Sequence, residues 1–293
     1  MPESAALMFW IGGLYYFNLW VIEKGRLVSL ILSSVFLSFA IMTKPPVIFI
    51  AIPMLYLCYE HFRWRWLKFM ELWGYALVTL TVPLLYYYLS ANLAEYKFTV
   101  GIGRDIIFKK ALTAFYSPEA LHFFKENIPV SVGMVGFLLI FAGIFSVTKK
   151  QRVILIWFIA MLLEVIFIVS PIRAGYYLIF FTVPCALLIG NMFARIFYEP
   201  IGKVLSVVLV MALAYDSYYQ VKPMYEKNEI MATQVKVVQE VTAEDELLVV
   251  GAFDPCLLSL ADRRGWRFNI GIYSYIPKDP YEELDYYIVR GAK

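Results

Sequence analysis

The chain has 293 residues, of which 61% are hydrophobic and only 17% charged, with a net charge of +3. Its mean hydropathy of +0.67 is too high for a soluble domain of this size, which would carry more charge. The small positive balance calls for no nucleic-acid partner, because loop charges that fix membrane topology account for it. Three widely spaced cysteines, Cys58, Cys185 and Cys256, argue against a disulfide framework.

The apolar residues come in blocks of about 15–22 separated by short charged clusters, the pattern of a polytopic α-helical membrane protein. About eight transmembrane helices are expected, at 5–22, 27–42, 46–60, 69–90, 129–147, 153–170, 174–194 and 203–220. Lys24, Arg26, Arg63, Arg65, Lys68, Lys149, Lys150, Arg152, Arg195 and Lys203 all fall on one side, and only Lys44 and Arg173 in the short turns of the other. The positive-inside rule makes the first side cytoplasmic; the expected location is the plasma (inner) membrane. The N-terminus, an outer loop at 91–128 and everything after residue 220 then lie outside.

The hairpin from Leu27 to Glu60 has two arms of about 15 residues, shorter than the roughly 30 Å hydrocarbon core. Its outer turn, Thr43-Lys44-Pro45-Pro46, is therefore expected below the outer membrane surface, with Thr43 as the N-cap and the prolines opening the next helix. Lys44 then either snorkels to the interface or binds a phosphate. In the outer loop, Ile106, Ile107, Ala111, Leu112 and Phe115 share one face, which predicts an amphipathic helix on the membrane surface. Glu164 lies inside the sixth apolar block, where a carboxylate costs roughly 2.5–3.5 kcal/mol, and structural and functional readings of it weigh equally.

The second outer turn, Ser170-Pro171-Ile172-Arg173-Ala174-Gly175-Tyr176-Tyr177, places an arginine and two tyrosines between two apolar blocks. Such a charge needs a partner, and an anionic lipid head group is the natural one. Tyr176 and Tyr177 read equally well as interface-belt residues. After residue 220 the composition turns to that of a small extracytoplasmic α/β domain at 221–293. It has a helix at 225–241, a buried strand at 246–251, a short helix at 257–261 and strands at 266–270 and 285–290. The chain divides accordingly into a transmembrane helical domain at 1–220 and this soluble domain.

No His-Glu-x-x-His, paired-cysteine metal spacing, phosphate-binding glycine loop or serine elbow is present. The two histidines, His61 and His122, fall on opposite sides of the predicted membrane, so they cannot share a metal.

Three passages carry a family resemblance: Ser38-Phe39-Ala40-Ile41-Met42-Thr43-Lys44-Pro45-Pro46; the run from Val135-Gly136-Phe137 through Trp157 to Arg173-Ala174-Gly175-Tyr176-Tyr177-Leu178 with Pro184; and Ala261-Asp262-Arg263-Arg264-Gly265-Trp266. In this order they resemble membrane glycosyltransferases of the C superfamily, the branch of the protein O-mannosyltransferases and the aminoarabinose transferase of lipid A. The resemblance implies an enzyme that moves a sugar from a polyprenyl-phosphate carrier, such as undecaprenyl phosphate, to an acceptor on the outer face. A divalent cation is possible in such a site. It also implies that Lys44, Arg173, Tyr176 and Tyr177 bind the substrate. The family's catalytic aspartate, in a first outer loop, has no counterpart here and is expected upstream of Met1, Glu3 being a poor stand-in, so the chain is expected to be a C-terminal portion of such an enzyme and inactive on its own. Arg263 and Arg264 form either an exposed turn or a cover over the acceptor site. A transporter or flippase for a lipid-linked saccharide, or a non-catalytic membrane scaffold, would carry the same cations without chemistry; no internal repeat favours the transporter.

Overall fold

Apolar segments embedded in lipid have no water to satisfy their backbone amides, so they close their hydrogen bonds within helices. The structure, a computed structural model, describes residues 2–23, 26–93, 102–226, 228–250 and 256–267. It divides into two units, Met1–Gln220 and Val221–Lys293.

The first unit is helical. It contains α1 (Pro2–Ile22), α2 (Leu27–Thr43), α3 (Ala51–Phe62), α4 (Met70–Leu93), α5 (Pro118–Val132), α6 (Met134–Ser146), α7 (Arg152–Glu164) and α8 (Leu178–Ile196), and most of α9 (Pro200–Tyr225). Among the described residues, six stretches are long and apolar enough to cross a membrane: Glu3–Ile22, Pro45–Lys68, Met70–Leu93, Lys149–Ile172, Gly175–Ile196 and Pro200–Pro223. The chain is a helical, membrane-embedded protein.

Three of the eight expected spans differ. α2 has 17 residues, about 25 Å of helix, and falls short of a full crossing. Its partner arm is longer than the sequence suggested, because 3-10 turns at Pro45–Ile50 and Arg63–Lys68 extend α3 at both ends. The block at 129–147 is not one helix. α5 and α6 meet at an angle of 85° at Gly133, whose φ of +75° is the left-handed geometry that ends one helix and starts another. The Asp216 carboxylate of α9 accepts a hydrogen bond of 3.0 Å from the Val135 N–H, capping the start of α6. The amphipathic helix expected around 106–115 is replaced by a π-helical turn at Ile102–Ile107, a single turn at Phe108–Lys110 and a 3-10 turn at Ala114–Tyr116. Continuous helix begins only at α5, where Ser117 accepts from the Ala120 N–H.

The core of this unit is aromatic. Trp10 of α1 is fully buried and meets Trp157 of α7 and Phe180 of α8 edge to face, with ring centroids 5.0 and 5.5 Å apart. A hydrogen-bonded seam joins α1, α2 and α4: Ser33 donates to the Gly13 carbonyl at 2.8 Å and shares a bond with the Tyr75 hydroxyl at 3.0 Å, and Ser34 bonds Thr79 at 2.9 Å. Helices that gain little from apolar contact in lipid are held by such polar pairs and by close packing of small residues.

The second unit, in its described part, holds α10 (Glu229–Val241), β1 (Leu247–Val250), α11 (Cys256–Leu260) and β2 (Arg264–Arg267). The two strands pair in parallel, Leu247 opposite Arg264 and Val250 opposite Arg267. β1 was expected to be buried, yet Leu247 and Val249 are 37% and 42% exposed. The strand expected at 285–290 and residues 268–270 lie outside the described residues.

Arg263 is held within this unit. Its Nε donates to Thr242 Oγ1 at 3.0 Å and its Nη2 to the Thr242 carbonyl at 2.9 Å, satisfying the C-terminal end of α10; Nη1 reaches the Ala261 and Asp262 carbonyls. The guanidinium is a clamp between α10 and the turn before β2. Arg263→Ala is expected to destabilise this unit by about 1.5–3 kcal/mol, the scale of hydrogen bonds to a charged donor. Faster amide exchange at Thr242 and earlier proteolysis of this unit would show it. Arg264 is exposed in β2.

Candidate functional site

Lys44 precedes Pro45, and the ring of a proline drives the preceding residue out of helical geometry. Lys44 accordingly takes φ −148° and ψ 106°, closes α2 through its N–H to the Ala40 carbonyl at 2.9 Å, and leads into the 3-10 turn opened by Pro45. Thr43 is not the N-cap. It ends α2, and its hydroxyl donates back to the Phe39 carbonyl at 2.7 Å. The last turn of α2 is steadied by Tyr87 of α4, whose hydroxyl reaches the Ile41 and Met42 carbonyls, each at 2.9 Å.

The break leaves the Lys44 side chain 13% exposed at the end of the helical unit. Its Nζ lies 4.8 Å from the centroid of the Tyr176 ring and 4.8 Å from that of Tyr177. The two rings belong to a 3-10 turn, Gly175–Tyr177, that feeds α8, and their centroids are 4.8 Å apart. Each ring face contributes roughly 0.5–2 kcal/mol of cation–π attraction, more as water is excluded. The third neighbour is Glu3 of α1, whose Oε1 lies 2.8 Å from Nζ; its side chain is 12% exposed, and its Oε2 is buried without a partner among the described residues.

Of the four residues expected to bind substrate, three thus meet: Lys44, Tyr176 and Tyr177. Arg173 does not join them among the described residues. It takes the left-handed conformation (φ 55°, ψ 44°) after a short helical turn at Ser170–Ile172, is exposed, and is coupled electrostatically to Glu119 of α5. Glu3, set aside as a stand-in for an absent aspartate, proves to be the ionic partner of Lys44. The available signal was its place as the one acidic residue at the head of an otherwise uncharged apolar helix.

An apolar groove of about 330 Å³ runs between α2, the Pro45–Phe62 arm and α4, lined by Ile41, Ile48, Met54, Cys58, Tyr75 and Thr79 among others. Ile41 and Ile48, which line it, flank Lys44 in sequence, while the Lys44 ammonium itself is directed at Tyr176, Tyr177 and Glu3, none of which lines the groove.

Glu164 is fully buried at the end of α7, with neither oxygen partnered among the described residues, and a π-helical turn, Val165–Val169, follows it. His122 pairs with Glu126 at 3.3 Å on an exposed surface, and His61 bonds the Leu57 carbonyl. Among the described residues no group of three or more His, Cys, Asp or Glu side chains converges to hold a metal, so no metal-ligand set is assigned. In comparisons with protein-family models, with curated proteins and with solved structures, nothing matches this chain. What its residues establish is a helical membrane-embedded protein with a lysine caged by two tyrosines and a carboxylate, and an apolar groove between α2, the Pro45–Phe62 arm and α4.

Proposed function

We propose that the chain forms the donor-binding part of a membrane glycosyltransferase, similar to the C superfamily, in which a sugar moves from a polyprenyl-phosphate carrier to an acceptor on the outer face of the plasma membrane. The observation that supports this is a largely buried lysine held by two tyrosine rings and a carboxylate, in a helical unit that also contains an apolar groove. The groove suits the polyprenyl tail, and Lys44 suits the phosphate. As the sugar leaves, its anomeric carbon parts from a phosphate oxygen and bonds the acceptor oxygen, while the acceptor proton passes to the aspartate that the resembling family supplies from its first outer loop and that the residues of this chain do not provide. Negative charge builds on the phosphate in that step, and a cation fixed beside it lowers the barrier. Tyr176 and Tyr177 hold the ammonium in place through their ring faces, and their hydroxyls are donors within the same turn. Exposed Arg173, three residues before Tyr176, offers a second cation to the sugar phosphate or the acceptor. In this reading residues 221–293 form a small α/β domain on the outer side that handles the acceptor.

Lys44→Ala in the full-length, membrane-inserted enzyme is the test. Transfer of labelled sugar from a polyprenyl phosphate to endogenous acceptor is expected to fall by about 10²-fold or more, the usual effect of removing one such charge-stabilising group, at unchanged insertion. Unchanged transfer would remove the assignment of Lys44.

A transporter of lipid-linked saccharide is the second reading, favoured by the break between α5 and α6 and the π-helical turn after Glu164, since discontinuous helices line transport paths. It predicts that Lys44→Ala blocks movement of a lipid-linked sugar across vesicles that show no transfer at all.

A further inference from the structure

We propose that Glu3 sets the charge the Lys44 seat accepts, favouring a lipid phosphodiester over a lipid phosphomonoester. The inference rests on the reading of Lys44 as a phosphate seat and adds a selecting residue to it. The Lys44 ammonium has three donors; the Tyr176 and Tyr177 faces cover two of its sides and Glu3 Oε1 takes another at 2.8 Å. The cage is therefore neutral before any ligand arrives. A phosphate that reaches Nζ must settle beside the Glu3 carboxylate, within about 6 Å of it, and the repulsion scales with the charge the phosphate brings. A diester brings one negative charge, whereas a monoester brings about 1.5–2 at neutral pH.

Two features keep that repulsion from being screened away. Both side chains are mostly buried, at 13% and 12% exposure, so water and salt reach the pair poorly. In addition, Glu3 Oε2 is buried and meets no donor among the described residues, so no neighbouring hydrogen bond on that side offsets its repulsion of a second anion. The consequence falls on the order of events: transfer converts a diester donor into a monoester carrier, and the seat that holds the first weakens its grip on the second.

The test measures binding of farnesyl phosphate and its methyl ester to the full chain in detergent micelles at pH 8 and low salt. The wild-type protein is expected to bind the methyl ester about ten-fold tighter than the monoester, after allowance for screening. Glu3→Gln and Glu3→Ala are each expected to bring the two within about two-fold or to invert the order, while Glu3→Asp, which keeps the charge, retains the preference. A wild-type protein without preference, or a Glu3→Gln protein that keeps it, overturns the proposal. Lys44→Ala separates this from failure of the seat itself. Loss of both esters in Lys44→Ala with an unchanged ratio in Glu3→Gln overturns the role of Glu3 alone, and undiminished binding of both esters to Lys44→Ala overturns the phosphate seat. Inorganic phosphate that displaces neither ester supports a lipid-borne ligand; displacement as strong as by farnesyl phosphate overturns it.

Discussion

Replacing Gly143 with leucine is expected to cost the helical unit about 3 kcal/mol or more and to lower its thermal midpoint in detergent by several degrees. A Cβ at Gly143 of α6 would stand 2.7 Å from the Leu188 carbonyl oxygen and 2.8 Å from its carbon, on the backbone of α8. Backbone cannot swing aside as a flexible side chain can, so the two helices must part. Helix pairs in lipid rely on such close approach because apolar contact alone does not distinguish a neighbouring helix from lipid. Gly143→Ala should show a smaller loss, in the range of about 1–3 kcal/mol for overpacking. Gly190, on α8 as well, is the internal control: a Cβ there meets nothing within 4 Å, so Gly190→Ala should be neutral or stabilise by about 0.4–1 kcal/mol. The damage should also reach the site, since α8 continues from the turn bearing Tyr176 and Tyr177. Equal midpoints for Gly143→Leu and Gly190→Ala would refute the close packing of α6 on α8.

Much of this architecture is legible in the sequence because its causes are local. Apolar blocks dictate helices in lipid, and Pro45 dictates that α2 stop at Lys44. Counting Lys and Arg along the loops is enough to set Lys44 and the Tyr176-Tyr177 turn on one side of the membrane, and the structure brings them into contact. What stayed hidden depends on partners far apart in the chain. Nothing in the neighbourhood of Glu3 announces Lys44, 41 residues on, and nothing around Arg263 announces that Thr242 will take its guanidinium. The same holds for Thr43: a threonine before a proline pair reads as a cap, but its hydroxyl is already engaged by the helix behind it. Direction is the other blind spot. Hydropathy measures how apolar the block at 129–147 is and carries no trace of the 85° turn at Gly133.

That turn yields the second large effect. Gly133→Val is expected to destabilise the helical unit by about 3 kcal/mol or more, for two separable reasons. A φ of +75° is a genuine outlier for a β-branched residue, costing roughly 1–3 kcal/mol by itself. Beyond that, a Cβ at this position would stand 2.5 Å from Asp216 Oδ2, the atom that caps α6 through the Val135 N–H. Asp216→Ala alone removes the cap and should cost about 1–3 kcal/mol, since the N–H of Val135 loses its acceptor. In the double variant the clash disappears but the strained φ and the lost cap remain. The pair should therefore cost less than the sum of the two single losses by about 1 kcal/mol or more, a coupling that thermal melts of the four proteins would measure. Strict additivity would mean that Asp216 does not crowd Gly133, and that the bend is set by the glycine conformation alone.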